Sequence, residues 1–286
     1  MKKILVSTDT TADLSKEIIE NRGIKQVPLH VLLGNKEFLD GVDIVPKDIF
    51  DFVKETKTLP KTSAASVYEY SEFFEENLKE YDNIIHFTIS SELSSTYNNA
   101  RLASEEFNGK VSVIDSRNLS TGQGLLVLKA CDFIESGKEY DEIVNEINEI
   151  KNHVQVSFVV DNVDYLYKGG RCSGAARLAS NMFKIHPSID MIDGKLIPKK
   201  NYRGQIKKSI ENYVKDLSEE YKDYEETRVF ITHACADDEV VNLIKEIVRE
   251  KFNFKEIIVT IAGSVVTSHC GQGTLGVLFI KKVNVD

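Results

Sequence analysis

The chain has 286 residues, more than one small core requires, and its 45 Asp and Glu against 36 Lys and Arg give a formal charge of −9. That balance argues against a general affinity for nucleic acid. Four cysteines, Cys131, Cys172, Cys235 and Cys270, make no C-x-x-C pair, so the usual zinc and disulfide frameworks are excluded and reduced thiols in cytoplasm are expected.

The first half alternates short β-branched runs with amphipathic ones: strand 4–7, helix 14–21, strand 26–33, and helix 47–54 opened by Pro46. Asp9 ends the opening apolar run well short of a leader peptide. Helix 67–81, strand 84–89, helix 96–107 and strand 111–115 continue the alternation, which predicts a doubly wound, mostly parallel sheet in three layers. Helices 122–134 and 141–150 and a strand at 154–160 complete an N-terminal α/β domain, 1–163.

Residues 164–286 read as a smaller α/β domain with a mixed sheet, beginning with a helix at 175–184. Asp193-Gly194 between two apolar runs signals a hairpin. Helix 206–217, strand 229–232, helix 239–251 and strands 257–261 and 275–280 follow. No apolar stretch reaches the ~18 residues of a membrane span. Two domains create a cleft, and a ligand is expected in it.

Two hydroxyl-rich turns stand out. Thr62-Ser63-Ala64-Ala65-Ser66 and Ser90-Ser91-Glu92-Leu93-Ser94-Ser95-Thr96-Tyr97 each precede a helix. One Ser or Thr suffices to cap a helix, so the surplus hydroxyls point to an outside acceptor, such as a carboxylate or phosphate shared by both turns. Gly271-Gln272-Gly273-Thr274-Leu275-Gly276 matches the letters of a dinucleotide fingerprint but leads into strand formers, so a nucleotide-binding regulator is disfavoured.

Ser268-His269-Cys270, read as extended, makes His269 a candidate hydrogen-bond partner for an anion. Lys168-Gly169-Gly170-Arg171 forms a cationic turn, and Arg203 belongs to a basic stretch suited to docking. Asp9 with Asp13 resembles a metal pair, although capping of the first helix by Thr10, Thr11 or Asp13 explains these residues better. The P-loop, HExxH and GxSxG patterns are absent from the sequence.

Together with Ser7-Thr8-Asp9-Thr10-Thr11-Ala12-Asp13-Leu14, Val113-Ile114-Asp115-Ser116, Leu166-Tyr167-Lys168-Gly169-Gly170-Arg171 and His269-Cys270-Gly271-Gln272-Gly273, the two turns resemble the DegV family of bacterial fatty acid-binding proteins, over nearly the whole chain. The resemblance implies a two-domain carrier, without catalytic residues, metal or cofactor, that holds a long-chain fatty acid between its domains. A partner fatty acid kinase would phosphorylate the presented carboxylate.

The resemblance assigns the carboxylate to Thr62, Ser63, Ser94, Ser95 and His269, and a rim contact with the acyl phosphate or the kinase to Arg171 and Arg203. Ala64, Ala65, Ser95 and Gln272 depart from the family's usual Gln, Pro, Gly and Pro. The rival expectation is an enzyme acting on a small anionic substrate, with Ser94 or Cys270 assisted by His269.

Overall fold

A computed structural model describes residues 2–172 and 185–282, and the helix expected at 175–184 lies outside them. In the first half, β1 (Ile4–Asp9), β2 (Lys25–Val27), β6 (Asn83–Thr88) and β7 (Val111–Asp115) form a parallel sheet in the order β2-β1-β6-β7. Every residue of β6 is buried, as a strand covered on both faces must be.

Alternate side chains serve opposite faces of this sheet. Leu5 and Ile84 pack with α3 (Val67–Asn77) and α4 (Thr96–Ser104), whereas Val6, Ile85 and Phe87 pack with α5 (Thr121–Glu135) and α6 (Tyr140–Ile150). The strand order reverses between β1 and β6. Open α/β sheets place their ligand crevices at the carboxyl ends of strands at such a point.

The single strand expected at 26–33 breaks at Pro28, which lacks an amide hydrogen and cannot continue a ladder. Its second part, β3 (His30–Leu33), leaves the parallel sheet for a three-stranded antiparallel one with β4 (Lys36–Leu39) and β5 (Lys61–Ser63). Residues 61–63, expected as loop, are therefore an edge strand, and Thr62 pairs with Val31. The helix expected from residue 14 begins later, as α1 (Lys16–Asn21). Ser15 caps it, and Asp9 caps the preceding 3-10 turn by accepting from the Thr11 amide.

The mixed sheet runs β11 (Lys195–Arg203), β10 (Ile185–Ile192), β9 (Ser157–Val159), β14 (Leu275–Ile280), β12 (Arg228–His233), β13 (Glu256–Ile261), with β8 (Val154–Gln155) also pairing with β14. β12 and β13 pair in parallel; the other pairings are antiparallel. The strand expected at 154–160 is thus two short strands, and both hydrogen-bond into this sheet although they precede residue 163.

Asp193 and Gly194 take φ of 49° and 78°, the pair of positive angles that a two-residue hairpin requires. Helices α8 (Ile206–Glu220) and α9 (Asp238–Lys251) cover one face of the mixed sheet through Tyr213, Val214, Ile244 and Val248 against Ile231, Val277 and Phe279. The other face meets α5, which is buried without a break from Thr121 to Leu128. Its apolar residues share one core with Val6 and Ile85 of the parallel sheet and Phe230 and Leu278 of the mixed one.

Candidate functional site

The two hydroxyl turns meet in space. Asn99 of α4 donates to the Ala65 carbonyl at 2.8 Å, tying the start of the second helix to the first turn. Ser66 and Glu69 form a capping box that opens α3, so that serine is structural.

Four of the five hydroxyls at 90–96 are also internal, Ser95 being the exception. Ser90 donates to the Gly194 carbonyl at 2.8 Å, Ser91 donates to Asp115 at 2.6 Å, and Ser94 shares a 2.7 Å hydrogen bond with Thr96. The surplus inferred from the sequence is therefore mostly consumed by loop-to-loop bonds. Ser95, the N-cap residue of α4, makes no side-chain cap bond and stays exposed, as does Ser63.

Residues 264–270, expected as extended at their end, form a short helix, α10 (Ser264–Cys270). It brings His269 against the edge strand β5, where Nε2 lies 2.8 Å from Thr62 Oγ1. Burial, reinforced by the Arg171 guanidinium, pushes the imidazole down to about 4, so the ring is neutral at neutral pH.

Its Nδ1 is buried and, among the described residues, without a partner, packed on Gly169 at the end of α7 (Asp164–Gly169). An orphaned acceptor is tolerated more readily than an orphaned N–H, which assigns the proton to Nε2. His269 then donates to Thr62, and the Thr62 hydroxyl proton is left to point at a ligand. A Cβ at Gly169 would lie 2.6 Å from Nδ1, so glycine is required for this approach.

Arg171, exposed, donates through Nη1 to the Gly169 carbonyl at 2.6 Å and through Nε to the Leu93 carbonyl at 3.4 Å, joining the two sides of the opening. Arg203 stands exposed at the end of β11 and does not line the cavity.

Thr62, Ser63, Ser94, Ser95, Arg171 and His269 all line one cavity of about 270 Å³. The rest of its wall is mostly apolar, with Leu29, Ile89, Leu93, Leu119, Phe158 and Val266 among the lining residues. A further space of about 40 Å³ shares Leu119, Phe158, Val266 and Cys270 with it and extends toward the mixed sheet.

The polar end is named residue by residue from the sequence; an apolar tunnel is implied only by the resemblance, without the residues that form it. The members of this wall come from three loops (Leu29; Ile89 and Leu93; Leu119), from β9 (Phe158) and from α10 (Val266), and share no local pattern.

The chemistry of an enzyme with His269 as base meets an obstacle at each candidate nucleophile. His269 Nε2 bonds to Thr62. Ser94 bonds to Thr96. Burial, with Asp13 nearby, pushes the Cys270 thiol up to about 12, far from a thiolate.

Asp9 accepts from the Thr11 and Ile89 amides and from Gln123, and among the described residues no acidic, His or Cys cluster is suited to a metal. The glycine run ends α10 and enters β14, with positive φ at Gly271 and Gly273, as expected for a strand lead-in and unlike a dinucleotide turn. Among the described residues no helix is long and apolar enough to cross a membrane.

The family described as "Uncharacterised protein, DegV family" matches residues 3–282. A DegV domain-containing protein of Clostridium perfringens is 34% identical over 289 residues, covering 98% of both chains. A solved DegV family protein from Thermus thermophilus, described by its fatty acid binding, superposes with a TM-score of 0.91 at 29% identity, covering 98% of this chain and 100% of that one. DegV of Bacillus subtilis, described as a fatty acid binding protein, superposes with a TM-score of 0.85 at 28% identity, covering 99% and 100%.

Proposed function

Because the chain belongs to the DegV family, we propose that it binds a long-chain fatty acid in the cavity between its sheets and presents the carboxylate to a partner fatty acid kinase. One observation carries the reading: a single cavity with hydroxyls, a neutral imidazole and an arginine at one end and leucine, isoleucine, valine and phenylalanine along the rest. Burying about 14 methylenes at ~0.8 kcal/mol each gives roughly 11 kcal/mol gross, before association costs of several kcal/mol, so the tail sets affinity.

The carboxylate loses water on entry and must regain donors. Thr62, with its proton freed by His269, and the exposed hydroxyls of Ser63 and Ser95 supply them, and Arg171 supplies a positive charge. These groups stand at the open end, where a second protein can reach the carboxylate. The chemistry of acyl phosphate formation then belongs to the kinase, and Arg203, exposed on β11, is available for docking.

Native mass spectrometry of the purified protein, followed by lipid extraction, tests the binding step. A mass increment matching one acyl chain is expected, and a protein that carries none and takes up none from added oleate overturns the proposal. Adding a fatty acid kinase and ATP tests presentation, with acyl phosphate formed only when both proteins are present.

A further inference from the structure

Helix α10 carries His269 and the wall residues Val265 and Val266, yet its sequence, Ser-Val-Val-Thr-Ser-His-Cys, is a poor helix former and only seven residues long. Its N-cap residue, Gly263, offers no side-chain acceptor. The acceptors come from the other half of the chain. Asp13 Oδ1 accepts from the Gly263 amide at 2.8 Å, and Asp40 Oδ1 accepts from the Ser264 amide at 2.8 Å.

Both carboxylates are almost completely buried. Asp13 is held in turn by the Ser120 hydroxyl at 2.5 Å, at the N-cap of α5, and the Asp40 amide donates to the carbonyl of Leu29, a cavity residue. Ser264 adds a hydroxyl bond to the Ile44 carbonyl at 3.3 Å.

We infer that Asp13 and Asp40 are positioning residues for the head-group site: their carboxylates grip the start of α10 and thereby set where His269 meets Thr62. A helix too short to hold itself is fixed at its first two amides, and the side chain at its far end makes the contact that frees the Thr62 proton. Two acids are needed because Gly263 and Ser264 present their amides to different chain segments, and each acid belongs to only one of them. Burial raises both carboxyls above their usual range, and the hydrogen bonds from the Gly263 and Ser264 amides oppose that rise. For its consequence in ligand affinity the inference rests on the fatty-acid reading; for the placement of His269 it does not.

The test uses the full-length protein with its histidines isotopically labelled, and compares Asp40→Ala and Asp13→Ala with Asp40→Asn and Asp13→Asn. In the ligand-free protein the Ala variants are expected to displace the His269 imidazole resonances, and the Asn variants, which keep an acceptor oxygen, to restore them. Oleate affinity should fall about tenfold or more in the Ala variants and stay within about threefold of the parent in the Asn variants.

Gly263→Ala provides an independent arm should the Ala variants fail to fold. Its Cβ would sit 3.1 Å from an Asp13 oxygen and 3.2 Å from an Asp40 oxygen, wedging the grip without touching the cavity wall. It should move the same resonances and weaken oleate about threefold or more. Folded Asp→Ala or Gly263→Ala proteins with unmoved His269 signals overturn the inference. A parent protein that binds no oleate overturns the fatty-acid reading instead, and leaves the resonance test standing.

Discussion

The turn at 61–66 and the turn at 90–96 are both rich in serine and threonine and put them to opposite uses. In the first, Thr62 sits on an edge strand with its hydroxyl acting between His269 and the cavity, and Ser63 is exposed beside it. In the second, Ser90, Ser91 and Ser94 close bonds to the hairpin carbonyl at Gly194, to Asp115 and to Thr96, so most of that turn is scaffolding. Hydroxyl density marks a place where donors are wanted without saying by whom. The partner of each oxygen decides whether it serves the fold or the ligand.

Thr62→Val should separate the two uses most sharply. It keeps the shape and removes the donor to the head group, a loss of about 2 kcal/mol in oleate binding, while the stranded His269 N–H lowers the stability of the free and bound forms alike. Isothermal titration checks it, and an unchanged affinity would move the head group away from β5.

The next effect is on pH. Because the folded imidazole titrates near 4 and an unfolded one near 6.5, the unfolded chain takes the proton first as pH falls, and stability is lost between those values. At pH 5 this amounts to about 2 kcal/mol, at ~1.4 kcal/mol per pH unit. His269→Gln should remove that part of the difference between urea unfolding at pH 7 and at pH 5. Buried His86, pushed down to about 3, works in the same direction. Asp9, raised to about 6 by burial, favours the folded state at acid pH and loses that contribution as pH climbs through 4 to 6. Both persist in the variant, so the comparison isolates His269.

Smallest is Ser94→Ala, which should cost about 1 kcal/mol of stability through the opening of α4 while leaving oleate affinity within about threefold. A larger effect on binding than that of Thr62→Val would reverse the contrast between the turns.

Much of the architecture was legible because periodicity and turn chemistry act locally. β1, β6, β7, α5, α6, the Asp193-Gly194 hairpin and the strand following Gly273 stand where periodicity placed them. The misread segments are those decided by distant partners. Pro28 splits one apparent strand between two sheets, residues 61–63 become a strand because β3 offers them an edge, and 264–270 becomes a helix because buried carboxylates hold its first amides.

At the site, residue type exposed the polar end. Only the resemblance groups Thr62 with His269, 207 positions apart; their contact and the apolar wall depend on how the two sheets face each other.

The helix α5, walled in by both sheets, also bears on how the molecule comes apart. Each half keeps a core of its own on its outer face, but loosening either sheet uncovers the same leucines, which couples the two, and heating should give one calorimetric transition. Cutting the chain at residue 163 would leave β8 and β9 without β10 and β14, their ladder groups bare, and the fragment should be recovered as aggregate.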